Sequence, residues 1–242
     1  MQRYEFPLGE AGLGEAGRIV VAFTERQDGD FAVNDALATA ELQQHRIQIA
    51  PVPWVWCRQV HGSKVAVAGQ MASGSIADAL IAAEPNVALS ITVADCAPIA
   101  VWSNKGALAA IHAGWRGLQG GVIAEAVKQL RDLDSQSTGG SSSLVALVGP
   151  HICAGCYDFS PADAVELQRK WGSDILTRSQ SDQGQPELKL DLGLITQKAL
   201  KHAGVTQIHT HGSCTSCNPE SWFSHRARGE LARNAMVVWR EN

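Results

Sequence analysis

No stretch of about 18 uninterrupted apolar residues, the length that marks a membrane-spanning helix, occurs in these 242 residues. The nearest, VALSITVADCAPIAVW from Val87, is too short and carries Asp95. The N-terminal MQRYEFPLGEAG lacks the apolar core and small-residue cleavage site of a secretory signal, which points to a cytoplasmic protein with no membrane partner. A basic excess is also missing. With 20 Lys and Arg against 24 Asp and Glu, the net charge is -4, and no field exists for sequence-independent binding to a phosphate backbone. Nucleic acid is not an expected partner, although a small anion could still meet a local arginine. No internal repeat is visible.

What is present reads as an ordinary globular core: 45% hydrophobic and 18% charged residues need no covalent staples. The six cysteines are accordingly read as thiols, ligands or buried apolar residues. The length suits one domain over residues 1–242. Short Val- and Ile-rich segments predict strands at Ile19 to Phe23, Val52 to Val60, Val87 to Ala94, Ala107 to Ile111, Leu144 to Val148, Val205 to His209 and Ala235 to Trp239.

Helical spacing of Val122, Ala126, Leu130 and Leu133 predicts a helix over Leu118 to Leu133. Ser160 followed by Pro161 predicts a second, to about Trp171, and Asp191 a third, to His202, closed by Gly204. The polar tracts Asp134 to Ser143 and Thr177 to Glu187 read as surface loops. The fold class is α/β (α+β), with mixed sheets flanked by helices.

Chemistry-bearing residues sit where apolar segments end. His61 follows WVWCRQV, Asp95 and Cys96 follow ITVA, and His112 follows AAI. Two histidines and one cysteine with an open fourth position form the catalytic type of zinc site, provided that the strands are neighbours in a sheet. Considered singly, each is more often a buried or hydrogen-bonded residue. Gly114-Trp115-Arg116-Gly117 opens onto the predicted helix, where free N–H groups and the Arg116 fork suit an anion; a surface arginine is the plainer alternative.

Two C-x-x-C pairs, Cys153/Cys156 and Cys214/Cys217, are the halves of a four-cysteine zinc site, but their separation along the chain is far longer than usual for one. His209-Thr-His211 invites a copper reading, yet one such pair among eight histidines is too few for a cupredoxin-type oxidase, and a strand edge explains it better. Ser224, His225, Arg226 and Arg228 follow an aromatic pair and suit either a ligand wall or a solvated turn.

Together QVHG at Gln59 to Gly62, DAL at Asp78 to Leu80, ADC at Ala94 to Cys96 with Pro98, HAGWRG at His112 to Gly117, GPHICAGCYDF from Gly149, and CT with FSHR from Cys214 resemble the laccase-domain family. That family is also labelled multicopper polyphenol oxidase or purine nucleoside phosphorylase, and it includes peptidoglycan editing factors. The likeness spans about Val20 to Trp239. It implies a zinc ion on His61, Cys96 and His112, with copper as an alternative metal, and action on purine nucleosides: phosphorolysis of adenosine, inosine, guanosine or methylthioadenosine, and deamination of adenosine.

Nucleoside and phosphate are then the small-molecule partners. Arg116 is the candidate for placing phosphate and Asp95 for carrying protons, with Asp78 second. Candidate substrate contacts are Arg26, Asp78, Tyr157, His225 and Arg226. The alternatives are a copper-dependent polyphenol oxidase, a peptidoglycan-precursor editing hydrolase, and, outside catalysis, a scaffold with a structural four-cysteine zinc. Three departures stand out. The glycine-rich N-terminal signature survives only as FTERQDG, Ala227 replaces a second arginine with Arg228 where an acid is common, and Cys153 stands where glycine is usual. The last makes the four-cysteine grouping read as coincidence.

Overall fold

The computed structural model describes residues 1–8, 17–33, 40–138, 142–180 and 185–241. In chain order its strands are β1 (Gln2–Pro7), β2 (Arg18–Phe23), β3 (Trp54–Trp56), β4 (Val65–Val67), β5 (Ala79–Ala82), β6 (Ala88–Val93), β7 (Ala97–Ser103), β8 (Leu108–Ala113), β9 (Leu144–Val148), β10 (Leu176–Gln180), β11 (Pro186–Leu190), β12 (Gln207–Thr210) and β13 (Asn234–Glu241). The helices are α1 (Ala40–Ile49), α2 (Trp115–Gly120), α3 (Val122–Thr138), α4 (Pro161–Trp171), α5 (Leu192–His202) and α6 (His225–Arg228). One sheet runs β1-β2-β13-β6-β3, a second runs β12-β9-β7-β8-β5-β4, and β10-β11 form a separate hairpin. Parallel pairing is confined to β3/β6, β4/β5 and β9/β12, so the sheets are mixed and flanked by helices, as the sequence predicts.

Period-two alternation divides the core into layers. Ile19, Val21 and Phe23 of β2, Met236 and Val238 of β13, and Ala100 and Trp102 of β7 fill the space between the two sheets. Val20, Ala22, Ala235, Val237 and Trp239 face the other way, onto Phe31 and the α1 residues Leu42 and Ile49. Ile99 and Val101 of β7 and Ala109 and Ile111 of β8 pack under α3 and α5. The central strands β2, β13, β6, β7 and β8 are thus covered on both faces and read as unbroken apolar runs, whereas the edge strand β1 alternates between partly buried and exposed residues.

The predicted helix over Leu118 to Leu133 is two helices. Gly121 adopts a left-handed φ of 85° that ends α2 and re-aims the chain into α3; Val122, Ala126 and Leu130 are buried as the spacing requires. Helix α4 begins at Pro161 after Ser160, though the Ser160 hydroxyl makes no capping bond. Asp191 Oδ1 accepts from the Leu194 amide at 2.8 Å and starts α5.

Three expectations are corrected. Asp134 to Thr138 continues α3 instead of forming a loop, and residues 139–141 lie outside the described residues. The second polar tract pairs as β10 with β11, its residues 181–184 lying outside the described residues. The strand expected over Val52 to Val60 shrinks to β3; Pro51 and Pro53 lack the N–H that a ladder needs and delay its start to Trp54. The strand expected over Val87 to Ala94 is present as β6, and the apolar residues that follow it form β7 in the other sheet. Among the described residues no helix is long and apolar enough to cross a membrane.

Candidate functional site

His112 lies near the end of β8, on the face of Leu108 and Ala110 that looks toward the first sheet, and is 3% exposed. Cys96 occupies the corner where the chain leaves β6 in one sheet for β7 in the other. His61 follows β3 of the first sheet. The three ligand atoms lie within 4.8 Å of one another. They converge because a sheet crossover brings Cys96 between the sheets, not because neighbouring strands end together as the sequence suggested.

Backbone strain marks two of these places. Asp95 has a φ of 103° and His61 a φ of 59°, conformations that cost of order 1–3 kcal/mol for a non-glycine residue and persist only where surroundings hold them. At His61 the holder is Asp78. Its buried carboxylate accepts from the amides of Val60 (3.2 Å), His61 (2.8 Å) and Gly62 (2.7 Å), and lies 2.9 Å from His112 Nδ1. One side chain therefore sets both histidines. A proton shared with that carboxylate resides on Nδ1, which leaves Nε2 of His112 as the ligand nitrogen.

At Asp95, Oδ1 accepts from Thr215 Oγ1 (2.6 Å) and Ser224 Oγ (2.7 Å), and Oδ2 from the Arg226 amide (2.6 Å). Its carbonyl accepts from Ile152 at 3.0 Å. The corner is clamped to the loops after β9 and β12.

Burial works against a Cys96 thiolate, but the charge of His112 and hydrogen bonds from His112 and His61 bring the thiol down to about 6. Burial likewise favours neutral His112, yet the Cys96 thiolate and Asp78 push it up to about 9. Asp78 is disfavoured as an anion by burial, and His112 with the Gly62 and Val60 amides more than compensates, holding it below the usual carboxylate range. A thiolate with two imidazoles is a soft to borderline donor set that suits zinc or copper. Gly114 makes room for it: a Cβ there would stand 2.8 Å from His61 Cδ2 and 3.0 Å from Cys96 Sγ.

The trio opens into a cleft of about 590 Å³, a size that suits a small-molecule ligand. Trp56, Trp115 and Tyr157 line it, together with Arg46, Arg58, Arg116, Arg226 and Arg233; Asp95 is the one carboxylate among its described lining residues. Arg116 is exposed and stacks over the Trp115 ring at 4.2 Å. Arg226 lies 5.0 Å over the Tyr157 ring, whose hydroxyl burial raises to about 12. His225 also lines the cleft, as the sequence suggested.

Two expected substrate contacts lie away from the open face of the cleft. Asp78 is 0% exposed, and its carboxylate is taken up by the His61 and Gly62 amides and by His112 Nδ1, the place of a group that orients the histidines. Arg26 lies outside the cleft lining. It is bound to Glu230 (2.6 Å), to the carbonyls of Pro219 and Trp222, and to the Phe223 ring, and so braces the loop before α6. Three cleft arginines had escaped the sequence reading. Arg58 was legible as the single charge inside WVWCRQV. Arg46 was not, since α1 has no apolar stripe to orient it; it is 4% exposed, and its Nε has no hydrogen-bond partner among the described residues.

Elsewhere, His209 and His211 belong to and follow the edge strand β12, against Phe6 and against Tyr4, Phe23 and Trp222. The four cysteines of the two C-x-x-C pairs do meet, with sulfurs within 4.8 Å of one another. Among the described residues, then, fold and site define a mixed α/β protein with one open His/Cys/His cluster at an arginine-lined cleft and one four-cysteine cluster.

Residues 23–241 match the family model described as multi-copper polyphenol oxidoreductase laccase, and the chain belongs to that family. A relative from Mycobacterium tuberculosis named purine nucleoside phosphorylase is 31% identical over 219 residues, covering 88% of this chain and 84% of its own. One of the same name from Streptomyces coelicolor is 31% identical, covering 84% and 81%. The crystal structure of the Bacillus licheniformis hypothetical protein YfiH superposes with a TM-score of 0.77 at 23% identity, covering 91% of this chain and 92% of that one. YlmD from Geobacillus stearothermophilus gives 0.73 at 23%, covering 99% and 100%. These two establish likeness of fold.

Proposed function

We propose that the chain is a zinc-dependent enzyme of purine nucleosides, carrying out phosphorolysis of adenosine, inosine, guanosine or methylthioadenosine and deamination of adenosine. The observation that carries this reading is the convergence of His61, Cys96 and His112 beside a cleft rich in arginine and aromatic side chains. The donor set fits a metal with one side left open. When bound, zinc supplies Lewis-acid polarisation and lowers the pKa of a coordinated water.

The remaining steps belong to the chain's own residues. Trp115 and Tyr157 offer faces and edges to a purine, and Arg226 stacks on Tyr157 and holds that wall in place. Arg116, with Arg58 and Arg233, gathers phosphate and neutralises it where it meets the sugar carbon. Helix α2 has only six residues, so the anion rests on these side chains more than on a helix dipole. Asp95, the one lining carboxylate, is the candidate to accept and return the proton in deamination, through Oδ2, which takes a single backbone donor.

The family's description favours a copper oxidase as the second reading. Of eight histidines, however, only His61 and His112 share a cluster among the described residues. Chromatography of adenosine reactions with and without phosphate tests the proposal: adenine should accumulate only with phosphate and inosine in either case. If neither exceeds a His61→Ala control, the reading is wrong. Stoichiometric copper in protein grown without added copper would favour the oxidase.

A further inference from the structure

The two C-x-x-C pairs come together by topology. Strands β9 and β12 are parallel neighbours, with Leu147 opposite His209 and Val148 opposite Thr210, so the loops that follow them leave the same end of the sheet. They keep running side by side. The His211 amide donates to the Val148 carbonyl (2.8 Å), His151 to Ser213 (3.2 Å) and Thr215 to His151 (3.2 Å), and His151 bridges Cys214 in parallel register. Each pair then folds back on itself: the Cys156 amide donates to the Cys153 carbonyl at 3.0 Å and Asn218 to that of Cys214 at 3.2 Å. The result turns four sulfurs from two distant segments toward one point.

Their spacing suits a single four-coordinate ion, for which zinc is the usual occupant of a four-cysteine site. Four thiolates at about 2.3 Å from one zinc ion stand about 3.8 Å apart at the corners of a tetrahedron. Cys156 and Cys217 sulfurs are 3.4 Å apart, and no pair exceeds 4.8 Å, so the cluster brackets that edge. Bridged iron clusters interpose sulfides and need wider separations. A disulfide would bring two sulfurs to about 2.05 Å and leave the other two to pair separately, whereas here all four share one centre. The Cys153 amide donates to Cys214 Sγ at 3.2 Å, the backbone-to-sulfur bond that supports a ligating thiolate. Cys214 is buried and Cys217 exposed, giving a site closed toward the core that an ion can enter from solvent.

We propose that Cys153, Cys156, Cys214 and Cys217 bind one zinc ion as a closed structural site, separate from the His61, Cys96 and His112 cluster. Four thiolates fill the coordination sphere, so this ion does no chemistry on substrate. It staples two loops that form the cleft wall. Tyr157 directly follows Cys156, and Thr215, between the other pair, donates to Asp95. The inference is independent of which reaction the cleft performs.

Elemental analysis of full-length protein purified under reducing conditions should find two zinc equivalents. His61→Ala/His112→Ala should retain one and Cys153→Ser/Cys217→Ser the other. Because the cysteine variant could fold poorly, cobalt-loaded His61→Ala/His112→Ala protein gives a second readout. It should show the intense near-ultraviolet sulfur-to-cobalt absorption and strong visible bands of a tetrahedral tetrathiolate. An unchanged metal count in the cysteine variant, a cobalt-loaded histidine variant without those bands, or intact-mass evidence that the four thiols are paired as disulfides in freshly purified protein would overturn the proposal.

Discussion

The two sulfur-containing clusters of this protein differ in how they are assembled. His61, Cys96 and His112 come from three separate segments in two sheets, and each is held by something other than its fellows: Asp78 for the histidines, the Asp95 corner for the cysteine. The four cysteines come as two local pairs and are held by backbone hydrogen bonds of loops that prolong parallel strands. One cluster has three donors and an open side against a cleft; the other has four identical donors and none. The first arrangement leaves room for a substrate and needs outside support to keep its geometry, whereas the second closes on itself.

Substitutions can break that contrast in order of effect. His112→Ala should bring nucleoside turnover to background and remove one metal equivalent while leaving the tetrathiolate ion in place, as activity assay with elemental analysis will show. Gly114→Ala pushes a Cβ into His61 and Cys96 and should weaken metal retention at the open cluster alone, measured by chelator competition. Asp78→Asn should cost about 10–100-fold in metal affinity or activity, the usual effect of removing an orienting carboxylate, again without touching the cysteine ion.

Arg116→Ala should raise the phosphate KM roughly tenfold, the scale of one charge-assisted contact, with both metals retained. Arg26→Ala should leave KM unchanged and lower the melting temperature by a few degrees, since its partners are Glu230, Phe223 and loop carbonyls. A KM effect at Arg26 would return it to the substrate-contacting set.

Much of this was legible in the chain. The seven predicted strands all contain or overlap real ones; for the central β2, β6, β8, β9 and β13, burial on both faces leaves continuous apolar runs. The proline at the first position of α4 and the Asp191 cap of α5 act through local geometry and mark helix starts as the sequence indicates. Strands such as β4 and β5 were missed: they are only three and four residues long, and exist because neighbours pair with them. Helix α1 carries no apolar periodicity of its own, so nothing local announced it. A carboxylate in a motif looks the same whether it faces a ligand or a histidine, and only the fold shows that Asp78 is buried against His112.

The amino-acid sequence by itself determined which residues could bind soft metals, where helices begin and which segments are apolar enough to be strands, since these depend on side-chain chemistry and on neighbours a few positions away. Only the tertiary structure decided which donors meet. The crossover from β6 to β7 carries Cys96 between the sheets to the two histidines, and the parallel pairing of β9 with β12 sets one C-x-x-C beside the other. Long-range strand pairing places residues by register across the whole chain, and no local spacing encodes it.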